Sequence, residues 1–219
     1  MVPKAVPLAT YIEELRHVVV VAMQNFDIWW VYKQRQDRAR YIGVLNAYPS
    51  FFQTSLHAHF VALIVALYRV YETRSNTINL AELMKRVGRE TTISPRKLSG
   101  INRRIATAGK LWVKVCILRN EAFGHRANSR SVSDVFKKAG VTPNELRGLI
   151  YSTRDIVNAI SCELDGSRHA FILRATADTR RMLKDLKELK ALRFNIPVNR
   201  ASGKRGASPR TPSRGRLLP

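Results

Sequence analysis

The stretch Phe51-Phe-Gln-Thr-Ser-Leu-His-Ala-His-Phe-Val-Ala-Leu-Ile-Val-Ala-Leu-Tyr-Arg-Val-Tyr71 decides the fold class. Leu56, Phe60, Leu63, Ile64, Leu67 and Tyr71 recur at three- and four-residue spacing, the period of one helix face. Ser55, Ala62 and Ala66 share a neighbouring face, where small side chains let a partner helix come close. That is the pattern of a helix at the centre of a bundle. From Tyr41 to Tyr68 there is no Asp, Glu, Lys or Arg, as in a membrane span. However, Asn46, Pro49, Gln53, Thr54, Ser55, His57 and His59 interrupt it. The uninterrupted run Phe60–Tyr68 is far short of the roughly 20 apolar residues that cross a bilayer. No membrane partner is expected.

The same period extends to both sides. Leu15, Val19, Ala22, Phe26, Trp29 and Trp30 predict a helix from about Thr10 to Gln34. The central helix begins near Arg38, is punctuated by Pro49 and resumes to Thr73. Asn79–Gly88 reads as a short helix. Ser94-Pro95 is an N-cap followed by proline at the first helical position, and opens a helix to about Phe123. Thr142-Pro-Asn-Glu145 has capping-box spacing and starts another helix to about Leu164; His169–Leu192 makes the last. No window sustains a period of two, so no sheet is expected, and no internal repeat is visible. The expectation is an all-α bundle of about five to six helices.

Composition bounds the rest. The chain has 219 residues, 45% of them hydrophobic, which suits one globular domain with or without an appendage. Residues 191–219 carry seven cations, no carboxylate, four prolines and three glycines. Such a segment cannot bury enough apolar surface to offset its chain entropy. A helical domain over 1–190 and a disordered basic tail over 191–219 are therefore expected. The formal charge is +22, and residues 1–190 alone keep +15, so a polyanion is the first partner to consider. Two cysteines, Cys116 and Cys162, exclude a disulfide scaffold and a Cys-rich metal site. Met1–Pro7 has no apolar stretch of signal-peptide length. A soluble protein of the reducing cytoplasm is expected.

The stretch with the most chemistry is Leu118-Arg-Asn-Glu-Ala-Phe-Gly-His125. It follows a helix with the apolar stripe Ile101, Ile105, Ala108, Trp112 and Val115, and Arg119 falls in phase with Ile105 and Trp112. A guanidinium aimed at a core must be paired or must open into a cleft. Gly124 can end the helix in the left-handed conformation, leaving His125 on a turn that folds back toward Arg119. On an unbroken helix the two would stand about 240° apart. A fixed arginine, a titratable histidine and the polar Asn120 suit metal-free phosphodiester chemistry. The arginine holds the phosphate and stabilises its growing charge, and RNA brings its own nucleophile, the 2′-OH. The plainer reading pairs Arg119 with a buried carboxylate and makes His125 an incidental cap.

Other candidates point to packing. His57 and His59 stand about 200° apart on a helix and cannot share a metal. Trp29, Trp30, Phe51, Phe52 and Trp112 lie on core stripes or flank Pro49, which favours packing over base stacking. The last helix has Met182, Leu183, Leu186 and Leu189 on one face. Arg180, Lys184 and Lys187 oppose them, as a solvated face or an RNA-phosphate platform. A helix-turn-helix reading of Asn79–Arg104, with Arg96, Lys97, Arg103 and Arg104 toward DNA, needs too long a turn. Glu121 can pair with Arg126, itself a further phosphate-contacting candidate. There is no Walker-type loop, Gly-x-Ser-x-Gly, His-Glu-x-x-His or Cys-x-x-Cys, so no cofactor and no metal are expected.

Arg-Asn-(x)4-His at the end of a long helix, in a basic all-α chain of this size, resembles the HEPN superfamily. The context Leu118-Arg-Asn-Glu-x-Phe-Gly-His125 is most similar to its abortive-infection, AbiU-type branch. The resemblance implies a HEPN-like bundle and a metal-independent endoribonuclease cutting by 2′-OH transesterification, often a toxin in defence or toxin–antitoxin systems. It implies Arg119 and His125 as catalytic residues and Asn120 as their support. It also implies a homodimer whose two motifs meet across a symmetric cleft, and a possible cognate antitoxin. Two other readings stay open: a non-catalytic helical nucleic-acid-binding protein, and an antitoxin-like protein-interaction module.

Overall fold

The computed structural model describes residues 6–124 and 131–195. They fold into α1 (Leu8–Lys33), α2 (Arg35–Leu45), α3 (Pro49–Tyr71), α4 (Leu80–Glu90) and α5 (Pro95–Ile117). A π-helical segment, Leu118–Gly124, comes next, followed by α6 (Val132–Ala139), α7 (Pro143–Asp165) and α8 (Ala175–Asn195). Among the described residues there is no strand, so the all-α class holds. Of the tail expected over 191–219, residues 191–195 continue the last helix, and the rest lies outside the described residues.

Among the described residues eight α-helices stand where five to six were expected, for two reasons. The central helix is two helices, because Asn46–Tyr48 breaks the chain and Pro49 opens α3, its fixed φ suiting the first turn. The second reason is α6. It is too short to show a period, yet Ser131 caps it by accepting from the Asp134 amide. Gly140 ends it at φ +55°. The capping box at Thr142 forms as the spacing predicts: Thr142 N–H donates to Glu145 at 2.7 Å, and Glu145 N–H donates to Thr142 Oγ1 at 3.2 Å. Ser94 occupies the N-cap position of α5, but its side chain makes no capping bond. α8 starts at Ala175, six residues later than expected.

The core lies between α1 and α3, with α5 and α7 closing over them. Leu15, Leu63, Ile64 and Val70 are fully buried, and the Trp29 and Phe60 rings meet at 5.2 Å. Among the described residues α3 is the helix long and apolar enough, by length and composition alone, to cross a bilayer. Here it packs on α1, α5 and the π-helical segment; the central place expected for it belongs to α1, which meets α2, α3, α4, α7 and α8. Tyr71 of α3 shares a buried hydrogen bond with Thr153 of α7 at 2.8 Å. Two ion pairs mark the antiparallel α5–α7 seam, Lys97–Glu163 at 2.5 Å and Lys114–Glu145 at 2.6 Å. α8 packs apart from this, on α1 and α2. Of its expected apolar face, Leu183 is buried, while Leu189 is largely exposed. Trp29 and Phe52 are core residues as expected, but Phe51, 61% exposed beside the α3 N-terminus, is not.

Candidate active site

α5 does not end in a clean stop at Gly124. At Leu118 the backbone widens into the π pattern, with more residues in each turn. Three anchors hold this wider segment. Leu118 is fully buried. Phe123 sits edge-on to Phe60 of α3 at 6.0 Å, to Phe136 of α6 at 6.3 Å and to His57 at 5.9 Å. Glu121 forms an ion pair with Lys138 of α6. Arg119 and Asn120 lie between these anchors, Arg119 half-buried and Asn120 exposed.

The helical phase alone aims Arg119 into the core. In the structure the guanidinium instead lies over the Tyr68 ring, 4.7 Å from its centre, and donates to Asn120 Oδ1 at 3.0 Å. No carboxylate lies within ion-pairing distance of it among the described residues, so the buried partner of the plainer reading is not found there. Tyr68 belongs to an aromatic column: its ring meets Trp112 at 6.0 Å, and Trp112 meets Tyr71 at 6.5 Å. Burial pushes the Cys116 thiol up, while the nearby Arg119 charge pulls it down by less. Among the described residues the site thus presents a cation with two contacts and further N–H donors without a partner, the state in which a guanidinium can take a phosphate.

His125 and Arg126 lie outside the described residues. The cations expected on the last helix lie on another face. Arg180 donates to Asp37 of α2 at 2.9 Å through Nε, and Asp37 is itself buried and also accepts from Gln34. Lys187 donates to the Arg40 carbonyl at 3.3 Å, and Lys184 pairs with Glu188 at 3.7 Å. The π segment packs on α3, α5 and α6 instead, so these three and Arg119 are not brought together. His59 Nδ1 donates to Asn25 Oδ1 at 2.8 Å, and burial lowers its pKa. Among the described residues no group of three or more His, Cys, Asp or Glu is placed to hold a metal. The α4–α5 connection is only Thr91–Ser94, tighter than expected, but Lys97 is turned to Glu163 of α7.

Sequence reasoning missed Tyr68, because nothing in its own helix links it to a residue of the α5 extension. The family model HEPN_AbiU2, described as AbiU2, matches residues 6–189. Neither the curated proteins nor the solved structures yield a match.

Proposed function

Because the chain belongs to the AbiU2 family of HEPN proteins, a family related to abortive infection, we propose that it is a metal-independent endoribonuclease. The observation that carries this reading is the place of the π-helical segment. Such insertions cluster at functional sites, and this one covers Arg119 and Asn120 and runs to the residue before His125. Arg119 holds the scissile phosphate through paired N–H donors and stabilises the charge that grows on it. His125 accepts the 2′-OH proton as that oxygen attacks the adjacent phosphorus. The P–O5′ bond breaks, the leaving oxygen is protonated, and the products are a 2′,3′-cyclic phosphate and a 5′-OH. Asn120 and Tyr68 keep the guanidinium in place.

The active form in this proposal is a homodimer. Val65, one turn before Tyr68, and Val113, next to Trp112 in sequence, are exposed apolar side chains, 47% and 54% accessible. A twofold interface buries such a patch twice. The role proposed is that of a defence or toxin–antitoxin toxin acting in the cytoplasm, with a cognate antitoxin as a further partner. The two free cysteines are in keeping with a reducing compartment.

The test is incubation of the purified chain with total RNA in EDTA beside a His125→Ala control. Cleavage by the parent alone, with 2′,3′-cyclic phosphate ends, is the expected result. Equal cleavage by both proteins, or RNA binding without cleavage, overturns it; the latter would favour the non-catalytic binding protein.

A further inference from the structure

A trough runs along the α5–α7 seam between the Lys97–Glu163 and Lys114–Glu145 pairs. It consists of two adjoining cavities of about 460 and 290 Å³ that share Arg104 and Asp155. The seam stays open because Ala108, Ser152 and Ala159 are too small to fill it. Arg103, Arg104, Thr107 and Ser152 line one cavity, and Arg168, from the α7–α8 connection, reaches the other. Asp155 is the only carboxylate among the lining residues, and Arg154 neutralises it through Nε at 2.9 Å. Arg103, Arg104 and Arg168 have no ion-pair partner among the described residues. The α8 cations Arg180 and Lys184, by contrast, are already paired.

We infer that this trough is a second RNA-contacting site, which grips the sugar–phosphate backbone of a single strand whose reacting phosphate lies at Arg119. The inference deepens the ribonuclease reading and rests on it for the position of the reacting phosphate. Arg104 and Arg119 are fifteen residues apart on α5 and its extension, about 22 Å at the helical rise. One mononucleotide cannot reach from one to the other, whereas a strand presents a phosphate at every step. Arg103 and Arg104 from α5 and Arg168 from the α7–α8 connection bring cations to the trough from two elements, as suits a groove that holds a strand's backbone.

The test uses the full chain and a 2′-O-methyl RNA of about 12 nucleotides, a length that grooves of this kind hold, so that binding is read whether or not RNA is cut. Arg103→Ala/Arg104→Ala should weaken binding on the order of tenfold and flatten the slope of log affinity against log salt by about 1.4, two single-strand contacts' worth. Arg168→Ala, on a different element, should lose about half as much slope. The double variant should cut a dinucleotide at the parental rate but a long RNA more slowly. Unchanged affinity and slope in both variants overturns the inference. So does loss of ATP binding with RNA affinity intact, which would make the trough a pocket for free nucleotide phosphates. If the parent cuts nothing while both variants still lose RNA, the trough stands and the ribonuclease reading falls.

Discussion

The guanidinium carbon of Arg119 lies 4.7 Å from the centre of the Tyr68 ring, so α3 holds a cation carried by the extension of α5. The arrangement joins a helix of the core to the π-helical turn. Trp112, 6.0 Å from the Tyr68 ring centre to centre, backs the ring on which the cation rests.

Arg119→Lys should therefore be nearly as harmful to cleavage as Arg119→Ala. An ammonium keeps the charge but lacks the planar pair of donors. Either change should cost on the order of 3 kcal/mol in the transition state, about 100-fold in single-turnover rate. Both variants should melt like the parent, since no described carboxylate is stranded. Tyr68→Phe should keep most activity and Tyr68→Ala should lose much of it, because the ring face, not the hydroxyl, meets the cation. A large drop in melting temperature for Arg119→Ala would instead point to a structural arginine.

Val65→Asp and Val113→Asp each place a charge at an exposed apolar position without touching the core. Light scattering at micromolar concentration should show a shift from dimer to monomer, and cleavage should fall with it. A fully active monomer would remove the dimer from the mechanism.

Arg180→Ala should destabilise the fold more than Lys184→Ala. It leaves the buried Asp37 carboxylate with Gln34 as its remaining side-chain donor, at a cost of about 1–3 kcal/mol. Lys184 loses only an exposed pair with Glu188, worth under about 1 kcal/mol. Equal melting temperatures for the two would show that the α2–α8 tie is slack.

Tyr71 gives the fold an alkaline limit. Burial raises its pKa from 10.0 to about 12, with the Thr153 hydrogen bond opposing by less. The unfolded chain releases this proton first, so the contribution is complete below about pH 10 and is lost as pH rises toward 12. Its size is on the order of 3 kcal/mol. Tyr71→Phe should flatten the stability profile over that window, as read by urea unfolding at successive pH values. An unchanged slope would mean that the phenol is not the titrating group.

The helices that could be read from the sequence are those with a long stripe or a complete cap. α1 and α3 bury most of the stripes their spacing shows, and the Thr142–Glu145 box starts α7 where it should. α6 escaped because eight residues are too few for a period, although Ser131 and Gly140 both mark its ends. At the candidate site the importance of Arg119 was visible and its direction was not. The π widening at Leu118 changes the phase that a regular helix would give, and hydrophobic spacing does not encode it. The partners Tyr68 and Asp37 were illegible for a simpler reason: they lie far along the chain from Arg119 and Arg180, where only the tertiary fold can bring them.

The widened turn also makes the region between Leu118 and Gly124 sensitive to length in a way it is not sensitive to composition. A π segment is a helix with a residue to spare. Replacing Ala122 by another small side chain leaves the path intact. Deleting it would let the backbone close into an ordinary α-helix and turn everything downstream by about 100°. Phe123 would leave the Phe60–Phe136 cluster, and the chain entering α6 would start from a different side of the bundle. Drift among descendants of this chain is thus freer to vary the letter at Ala122 than to vary the number of residues between Arg119 and His125.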